Sequence, residues 1–86
     1  MNINELIAIV KKKLETNILI ENVKIEDKTF LHKNHKGNEE GKFHLKITLH
    51  SNELKKMSKI NSNKKIYRIL SKELKFNIHS IQILIN

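Results

Sequence analysis

The most informative part of this 86-residue chain is the stretch from residue 42 to residue 50, where apolar and polar side chains alternate without a break. Strict alternation is the pattern of a β-strand that has one face in the core and the other in solvent. A sheet of such strands needs a cover on one face, as in an α+β sandwich. The inward set is Phe43, Leu45, Ile47 and Leu49, and the outward set is Lys42, His44, Lys46, Thr48 and His50. His44 and His50 are expected to be ordinary surface side chains.

Three helices and two further strands are indicated by the rest of the chain. Asn2 and Glu5 have the spacing of a capping box at a helix start. Ser51 and Ser62 are expected to cap two later helices. The second of these ends at Asn77, a residue type that tolerates the left-handed conformation of helix ends. The predicted segments are helices 2–16, 51–57 and 62–76, strands 20–28 and 78–85, and a turn at 59–61.

The order of these elements is α-β-β-α-α-β. The first two strands are expected to form an antiparallel hairpin, and the last follows a helical crossover, so it should lie parallel to the second. Helices then pack on one face of a three-stranded mixed sheet, and residues 1–86 form a single domain. The near-continuous apolar run of the last strand indicates a central or well-protected position. His79, Ile81, Ile83 and Ile85 share one parity and are expected on one face of that strand.

The segment between the first two strands, residues 30–41, is called the histidine loop here. It is polar, contains both glycines of the chain, and carries His32 and His35. A connection of 12 residues is long for a hairpin in a small domain, and long loops are commonly either functional or disordered.

Composition excludes several classes of function. The chain has no cysteine, which excludes disulfides, thiolate metal sites of its own and a thiol nucleophile. With two glycines it has no phosphate-binding glycine loop. No apolar run approaches membrane-spanning length, so we expect no membrane association and a cytoplasmic location. Because no nucleophile is paired with a base, we also expect no enzymatic activity.

The chain is strongly basic, with a formal net charge of +8. Such a charge favours acidic partners or nucleic acid. Only one of the 17 basic residues is an arginine, so a compositional bias toward lysine explains the charge equally well. The basic side of the two later helices is either a solvated surface or a phosphate-binding one. Its members are Lys55, Lys56, Lys59, Lys64, Lys65, Arg68, Lys72 and Lys75.

Three segments of the chain resemble the BolA-like family. IEDKTFLHKNHKG resembles its first strand and histidine-bearing loop, and KFHLKITLHSNEL resembles its second-strand pattern His-Phe-basic-Val-x-Val-x-Ser. KKIYRILSKELKFNIHSIQILI resembles its ending. The most specific matches, in register without gaps, are Tyr67, Leu70, Glu73, Leu74, Ile78 and His79.

The resemblance covers about residues 23–85, and two of its departures are changes of residue type. With the second strand aligned on Phe43, the family's histidine before that phenylalanine is Lys42 here. The basic-His-basic triplet before the long helix reads Ser-Asn-Lys at 62–64. Both departures weaken any argument for a polar network on that side of the molecule.

The resemblance implies a fold close to the type II KH module, and it implies a partner. BolA-like proteins pair with monothiol glutaredoxins that carry the Cys-Gly-Phe-Ser motif, and the two share a [2Fe-2S] cluster. The family's ligands on this side are the histidine at the start of the last strand, which matches His79, and a residue of the first loop. His32 matches that loop position when counted from Asp27, and His35 is the alternative.

The lack of cysteine makes this implied site a shared one. The thiolates must come from the glutaredoxin and its glutathione, so the isolated chain is expected to hold no cluster. The free chain is also expected to be a monomer. Replacing thiolates by histidine on one iron raises the potential of the cluster. A Zn²⁺ site made by His32, His35 and His79 is a less favoured alternative, because a loop between glycines is a poorly preorganised metal cage.

A second family attribute is transcriptional regulation in stress response through direct DNA binding by the short and long helices. Sequence-specific binding of single-stranded RNA, as in KH modules proper, is not expected. Those modules clamp the backbone with a Gly-x-x-Gly loop, and the corresponding turn at 57–60 contains no glycine. Duplex DNA is therefore the alternative partner.

Overall fold

The computed structural model describes residues 1–29 and 42–86. The histidine loop, with the candidate ligands His32 and His35, lies outside the described residues. The described elements are α1 (Ile3–Asn17), β1 (Asn22–Asp27), β2 (Phe43–His50), α2 (Asn52–Lys55), α3 (Lys59–Ile69), α4 (Ser71–Phe76) and β3 (Ile78–Ile85).

The strands form one mixed sheet in the order β1-β2-β3. β1 pairs with β2 in the antiparallel direction, with Val23 opposite Leu49 and Ile25 opposite Ile47. β3 pairs with the other side of β2 in the parallel direction, with Ile83 opposite Ile47. This topology confirms the predicted α+β fold with a three-stranded mixed sheet. The last strand was expected to be central or well protected, and the central position is wrong, because β3 forms an edge of the described sheet.

One hydrophobic core joins the helices to the sheet. Fully burying an aliphatic side chain of this size contributes about 1.5–3 kcal/mol before entropy losses are counted. The predicted inward face of β2 is confirmed, although Phe43 at its start is only partly buried. The buried apolar side chains are Leu6, Val10, Leu14, Ile18, Leu45, Ile47, Leu49, Leu54, Ile66, Leu70 and Ile78.

Two of the predicted helix caps are confirmed. Asn2 Oδ1 accepts a hydrogen bond from Glu5 N at 2.8 Å and so begins α1. Ser51 Oγ accepts one from Leu54 N at 3.2 Å and donates to Leu19 O at 2.8 Å. Ser51 therefore both starts α2 and attaches it to the connection that follows α1.

The long helix begins earlier than predicted. Ser58, and not Ser62, is the N-cap of α3, and its hydroxyl accepts a hydrogen bond from Asn61 N at 3.1 Å. Ser62 is 1% exposed and donates its hydroxyl to Lys59 O at 3.0 Å inside the helix. The segment predicted as a turn at 59–61 is thus the first turn of α3. Ser62 can be buried because its hydroxyl donates a hydrogen bond to a carbonyl of its own helix. An N-cap residue such as Ser58 instead lies at the helix start, where backbone N–H groups need a partner.

The long helix is also interrupted once. Leu70 has φ −98° and ψ 17°, and it ends α3 and begins α4. Hydrogen bonds continue through this point, since Leu70 N donates to Ile66 O at 3.0 Å and Leu74 N donates to Leu70 O at 2.8 Å. α4 ends at Asn77, as predicted, but Asn77 has φ −127° and is not left-handed.

Candidate functional site

A β-bulge positions His79 at the start of β3. The first residue of β2 is opposite Ile78, whereas His44 is opposite Ser80, so His79 is one extra residue on β3. Ile78 is buried, and both His79 and Ser80 are exposed. Ile81 then packs against the core. His79 therefore does not share the face of Ile81, contrary to the expectation from unbroken alternation. Bulges of this kind redirect a side chain and are common beside functional sites.

His44 is buried, and its ring lies beside that of His79. It is 5% exposed, and its Nδ1 atom lies 2.6 Å from Ser80 Oγ. The centres of the His44 and His79 rings are 4.9 Å apart, with an angle of 55° between the ring planes. The prediction of a surface His44 is wrong, because β2 is the middle strand and Thr29 and Ser80 flank this residue on its two sides. His50, at the other end of β2, is exposed as predicted.

The described residues on either side of the histidine loop lie at this same end of the sheet. His44 N donates a hydrogen bond to Thr29 Oγ1 at 3.1 Å. Phe43 N donates to Asn77 O at 2.9 Å, two residues before His79. Thr29 and Phe43, the described residues that flank the loop in sequence, therefore lie beside the histidine pair.

A depression of about 360 Å³ opens next to His44. Lys28 Nζ lies 3.2 Å from Glu26 Oε2, and this contact lowers the pKa of Glu26, an effect that the charges of Lys24 and Lys46 reinforce. Glu26 thus partly neutralises the cationic side of the depression. A volume of this size admits an ion with several waters, since one water occupies about 30 Å³. The lining residues are Lys28, His44, Leu45, Lys46, Ser80, Ile81 and Gln82.

The basic side of the later helices is mostly exposed. Lys65 is the exception, because it is half-buried and its Nζ lies 2.7 Å from Glu53 Oε2. This hydrogen bond lowers the pKa of Glu53, and a second one from Leu19 N adds to the effect. Lys75 Nζ lies 5.3 Å from the centre of the Phe76 ring. The exposed members are Lys55, Lys56, Lys59, Lys64, Arg68, Lys72 and Lys75.

Two of these lysines border a groove of about 380 Å³ between the α2–α3 connection and β3. Lys55 and Lys59 lie on its rim, and Leu54, Met57 and the end of β3 supply its apolar lining. The structure therefore brings Lys55 and Lys59 to one site. Lys64, Arg68, Lys72 and Lys75 follow along α3 and α4.

Within residues 1–29 and 42–86, no three side chains of the His, Cys, Asp and Glu types gather closely enough to hold a metal ion. None of the helices described there is long and apolar enough to cross a membrane.

A family model with the description BolA-like protein matches residues 14–86. The chain belongs to the BolA-like family. Its fold is similar to that of the BolA domain of SufE1 from Arabidopsis thaliana, with a TM-score of 0.77 and 24% identity over 92% of this chain and 87% of that chain. The fold is also similar to that of BolA1 from Arabidopsis thaliana, with a TM-score of 0.77 and 22% identity over 92% of this chain and 87% of the other.

The solution structure of BolA1 from Mus musculus gives a TM-score of 0.72 at 21% identity, over 90% of this chain and 60% of the mouse chain. No curated protein sequence matches this BolA-like chain significantly. The three solved structures therefore support the fold, while the family model supports the membership.

A second alignment of the second strand with the BolA-like pattern starts from Ser51. Ser51, the last residue of His-Phe-basic-Val-x-Val-x-Ser, is the N-cap of α2. Counted back from Ser51, the histidine of the pattern falls on His44 and the phenylalanine on Leu45. This count is an alternative to the alignment on Phe43, which leaves Lys42 in the place of the histidine. Sequence reasoning missed His44, although the count from the cap could have found it.

Proposed function

We propose that this BolA-like chain is a non-enzymatic adaptor that binds a monothiol glutaredoxin of the Cys-Gly-Phe-Ser type and shares a [2Fe-2S] cluster with it. The ligands from this chain are His79 and one residue of the histidine loop, His32 or alternatively His35. The adaptor acts in cluster trafficking or in iron and redox regulation, in the cytoplasm.

The exposure of His79 at the bulge is the observation that supports this proposal most directly. Its imidazole projects from the end of a hydrogen-bonded strand, so its backbone is held firmly while its ring reaches the surface. Thr29 and Phe43, the hydrogen-bonded residues on either side of the histidine loop, lie at the same end of the sheet. A partner that brings a cluster to His79 therefore also reaches Thr29 and Phe43.

The donor chemistry of the chain fits a shared cluster. Imidazole is a good ligand for iron, and the chain has no cysteine with which to complete a site alone. A bound [2Fe-2S] cluster supplies one-electron chemistry, and histidine ligation on one iron raises its potential. In this arrangement His79 binds and orients one edge of the cluster, while the glutaredoxin and its glutathione provide the thiolates.

Visible circular dichroism of the mixture tests the proposal. Adding the chain to a cluster-loaded monothiol glutaredoxin should change the spectrum, and His79→Ala should abolish that change. His50→Ala is the matched control, since it removes an exposed histidine from the far end of β2. A His79→Ala variant with the wild-type spectrum and wild-type cluster retention would show that His79 is not a ligand.

The alternative function is DNA binding through the basic side of α2, α3 and α4. The exposure of Lys64, Arg68 and Lys72 along these helices favours it, because exposed cations are the groups that contact phosphates. Lys65 is a weaker candidate, since it already contacts Glu53. The expected binding is to duplex DNA and depends strongly on salt.

A titration of labelled duplex at several salt concentrations tests this alternative. Reversing the charge of Lys64, Arg68 and Lys72 should weaken binding and lower the slope of log K against log salt by about 2–3. Reversing three exposed lysines elsewhere, Lys11, Lys12 and Lys24, is the matched control. Equal losses from the two triple variants would mean that net charge alone drives binding, and that the helices are no specific surface.

A further inference from the structure

The last strand presents a sheet edge that its own side chains leave unprotected. β3 is one edge of the described sheet, and its sequence, IHSIQILI, contains no lysine, arginine, carboxylate or proline. Natural sheets usually protect an edge with lysine, proline or a bulge, since its unpaired backbone groups can pair with another strand. The bulge at His79 lies at the start of β3 and leaves the rest of the edge regular. The other edge strand, β1, carries Lys24, Glu26 and Asp27.

The second half of this edge offers backbone donors and acceptors. Asn86 N donates a hydrogen bond to Leu49 O at 2.7 Å, so the backbone N–H of Asn86 faces β2. The backbone groups of successive strand residues point to alternate sides of the strand. The N–H and C=O groups of Ile83 and Ile85 therefore point away from β2, toward the open edge. Each of these groups needs a hydrogen-bond partner, which is either water or another strand.

The groove of about 380 Å³ lies beside this part of the edge. Leu54 and Met57 line it on the helical side, and Ile83 and Ile85 line it on the side of the sheet. The two isoleucines are only partly buried, so apolar surface remains for an incoming side chain. A strand added at the edge would direct every second side chain to the groove side. Edge and groove together suit β-augmentation, in which main-chain hydrogen bonds give affinity and a pocket gives specificity.

The charge of the groove favours an acidic occupant. Lys55 and Lys59 are exposed, and they are the only ionisable side chains among its described lining residues. A second copy of the chain is disfavoured, since each copy has a formal net charge of +8. A phosphodiester backbone offers acceptors without donors, so it leaves the edge carbonyls unpaired. None of the described lining residues is an aromatic on which a base could stack.

We propose that the β3 edge and this groove bind an extended acidic segment of a partner protein, which adds a strand to the sheet beside β3. An apolar side chain of the segment enters the groove, and carboxylates on either side of it contact Lys55 and Lys59. The groove lies at the end of β3, whereas His79 lies at its start. The two positions are roughly 20 Å apart along the strand, so the segment and a partner at His79 can be bound together.

A fluorescent peptide, acetyl-Asp-Glu-Val-Ile-Val-Glu-Asp-amide, tests the site on the full chain. Binding should raise its anisotropy and protect the backbone N–H groups of Ile83 and Ile85 from hydrogen exchange. Reversing the charge of Lys55 and Lys59 together should weaken binding about tenfold or more. Reversing Lys11 and Lys12 is the matched control, because these exposed lysines lie on α1 and the change in net charge is the same. The control should lose less than about threefold.

Two alternately N-methylated forms of the peptide test the main-chain pairing. N-methylation removes donors, so methyl groups on the residues whose N–H faces β3 should weaken binding about tenfold or more. The form with the opposite parity should bind like the parent peptide. Equal affinities of the two forms would rule out strand addition.

Three further results would overturn the acidic occupant. The first is no binding of the parent peptide at about 1 mM. The second is tighter binding of a short oligothymidine that depends on Lys55 and Lys59, which would assign the groove to nucleic acid. The third is dimerisation of the free chain with protection of Ile83 and Ile85, which would assign the edge to a second copy. His79→Ala should leave peptide binding unchanged, so this test and that of the cluster site fail separately.

Discussion

Lys13 of α1 and Glu73 of α4 form an ion pair between helices at opposite ends of the chain: Lys13 Nζ lies 2.7 Å from Glu73 Oε2. Glu73 is only 4% exposed. Among the described residues, its Oε1 is a buried side-chain oxygen with no hydrogen-bond partner. The carboxylate therefore depends on Lys13 to compensate for its loss of water.

We expect Lys13→Met to lower the free energy of unfolding by about 2–3 kcal/mol, because it leaves the Glu73 charge buried and uncompensated. The value is below that for a fully buried pair, since the Lys13 side chain is 36% exposed. The double variant Lys13→Met, Glu73→Leu should recover most of this loss. Urea unfolding of the two single variants and the double variant measures the coupling. Additive losses would show that the pair does not interact.

The ion pair of Glu53 with Lys65 predicts a dependence of stability on pH. The Lys65 ammonium, with Leu19 N, holds the pKa of Glu53 below its ordinary value of 4.5 in the folded state. A carboxyl with a lowered folded pKa stabilises the fold fully above its unfolded pKa, and this contribution is lost as the pH falls through the folded pKa. Glu53→Gln should therefore be less stable than the wild type near neutral pH and approach it below about pH 4.

Thermal unfolding of both proteins between neutral pH and about pH 3 measures this difference. Lys65→Met is the companion variant, since it removes the main cause of the lowered pKa and leaves the carboxyl in place. Its stability difference from the wild type should shrink with falling pH in the same way. If the stability difference between variant and wild type stayed constant over the whole pH range, the lowered pKa of Glu53 would be excluded as its cause.

The corrected start of α3 is tested by two serines. Ser58→Ala should destabilise the protein by about 1 kcal/mol, because it removes the side chain that caps Asn61 N. Ser62→Ala should change stability by less than about 0.5 kcal/mol, since alanine favours the helix interior and offsets the lost bond to Lys59 O. Urea midpoints for the two variants decide the matter. If Ser62→Ala destabilised the protein more than Ser58→Ala, the result would indicate that the helix starts at Ser62.

Much of this fold could be predicted because its patterns are local. The inward face of β2 and the caps Asn2 and Ser51 depend on residues within one element, and each was confirmed. The failures involve contacts between distant parts of the chain. The sequence pattern predicted Ser62 as the cap of the long helix, whereas in the folded protein Ser62 is buried inside α3 and Ser58 is the cap.

At the candidate site too, local patterns could be predicted and contacts between distant parts of the chain could not. His79 could be named as a candidate from sequence because its segment matches the family ending in register, and its role as a ligand stays a prediction. The burial of His44 could not, since Ser80 and Thr29 reach it from positions 36 and 15 residues away. A period-two pattern assigns a residue to a face of the sheet and gives no information on what covers that face.

The bulge at His79 and an unbroken strand differ in which isoleucines of β3 they place in the core. With the extra residue, Ile78 and Ile81 both face the core although they have opposite parity in sequence. Ile78→Thr and Ile81→Thr should then both destabilise the protein, by about 2 kcal/mol at the fully buried Ile78 and about 1 kcal/mol at the partly buried Ile81. Threonine keeps the β-branched shape that suits a strand, so the loss reports burial.

Leu84→Thr is the control for this pair. Leu84 lies on the same strand but is 41% exposed, so its substitution should cost less than about 0.5 kcal/mol. Urea unfolding of the three variants gives the comparison. An unbroken strand places only one of Ile78 and Ile81 inward, and in that case one of the two threonine variants would match Leu84→Thr. Two destabilised variants would support the bulge, and with it the outward position of His79 on which the proposed cluster site depends.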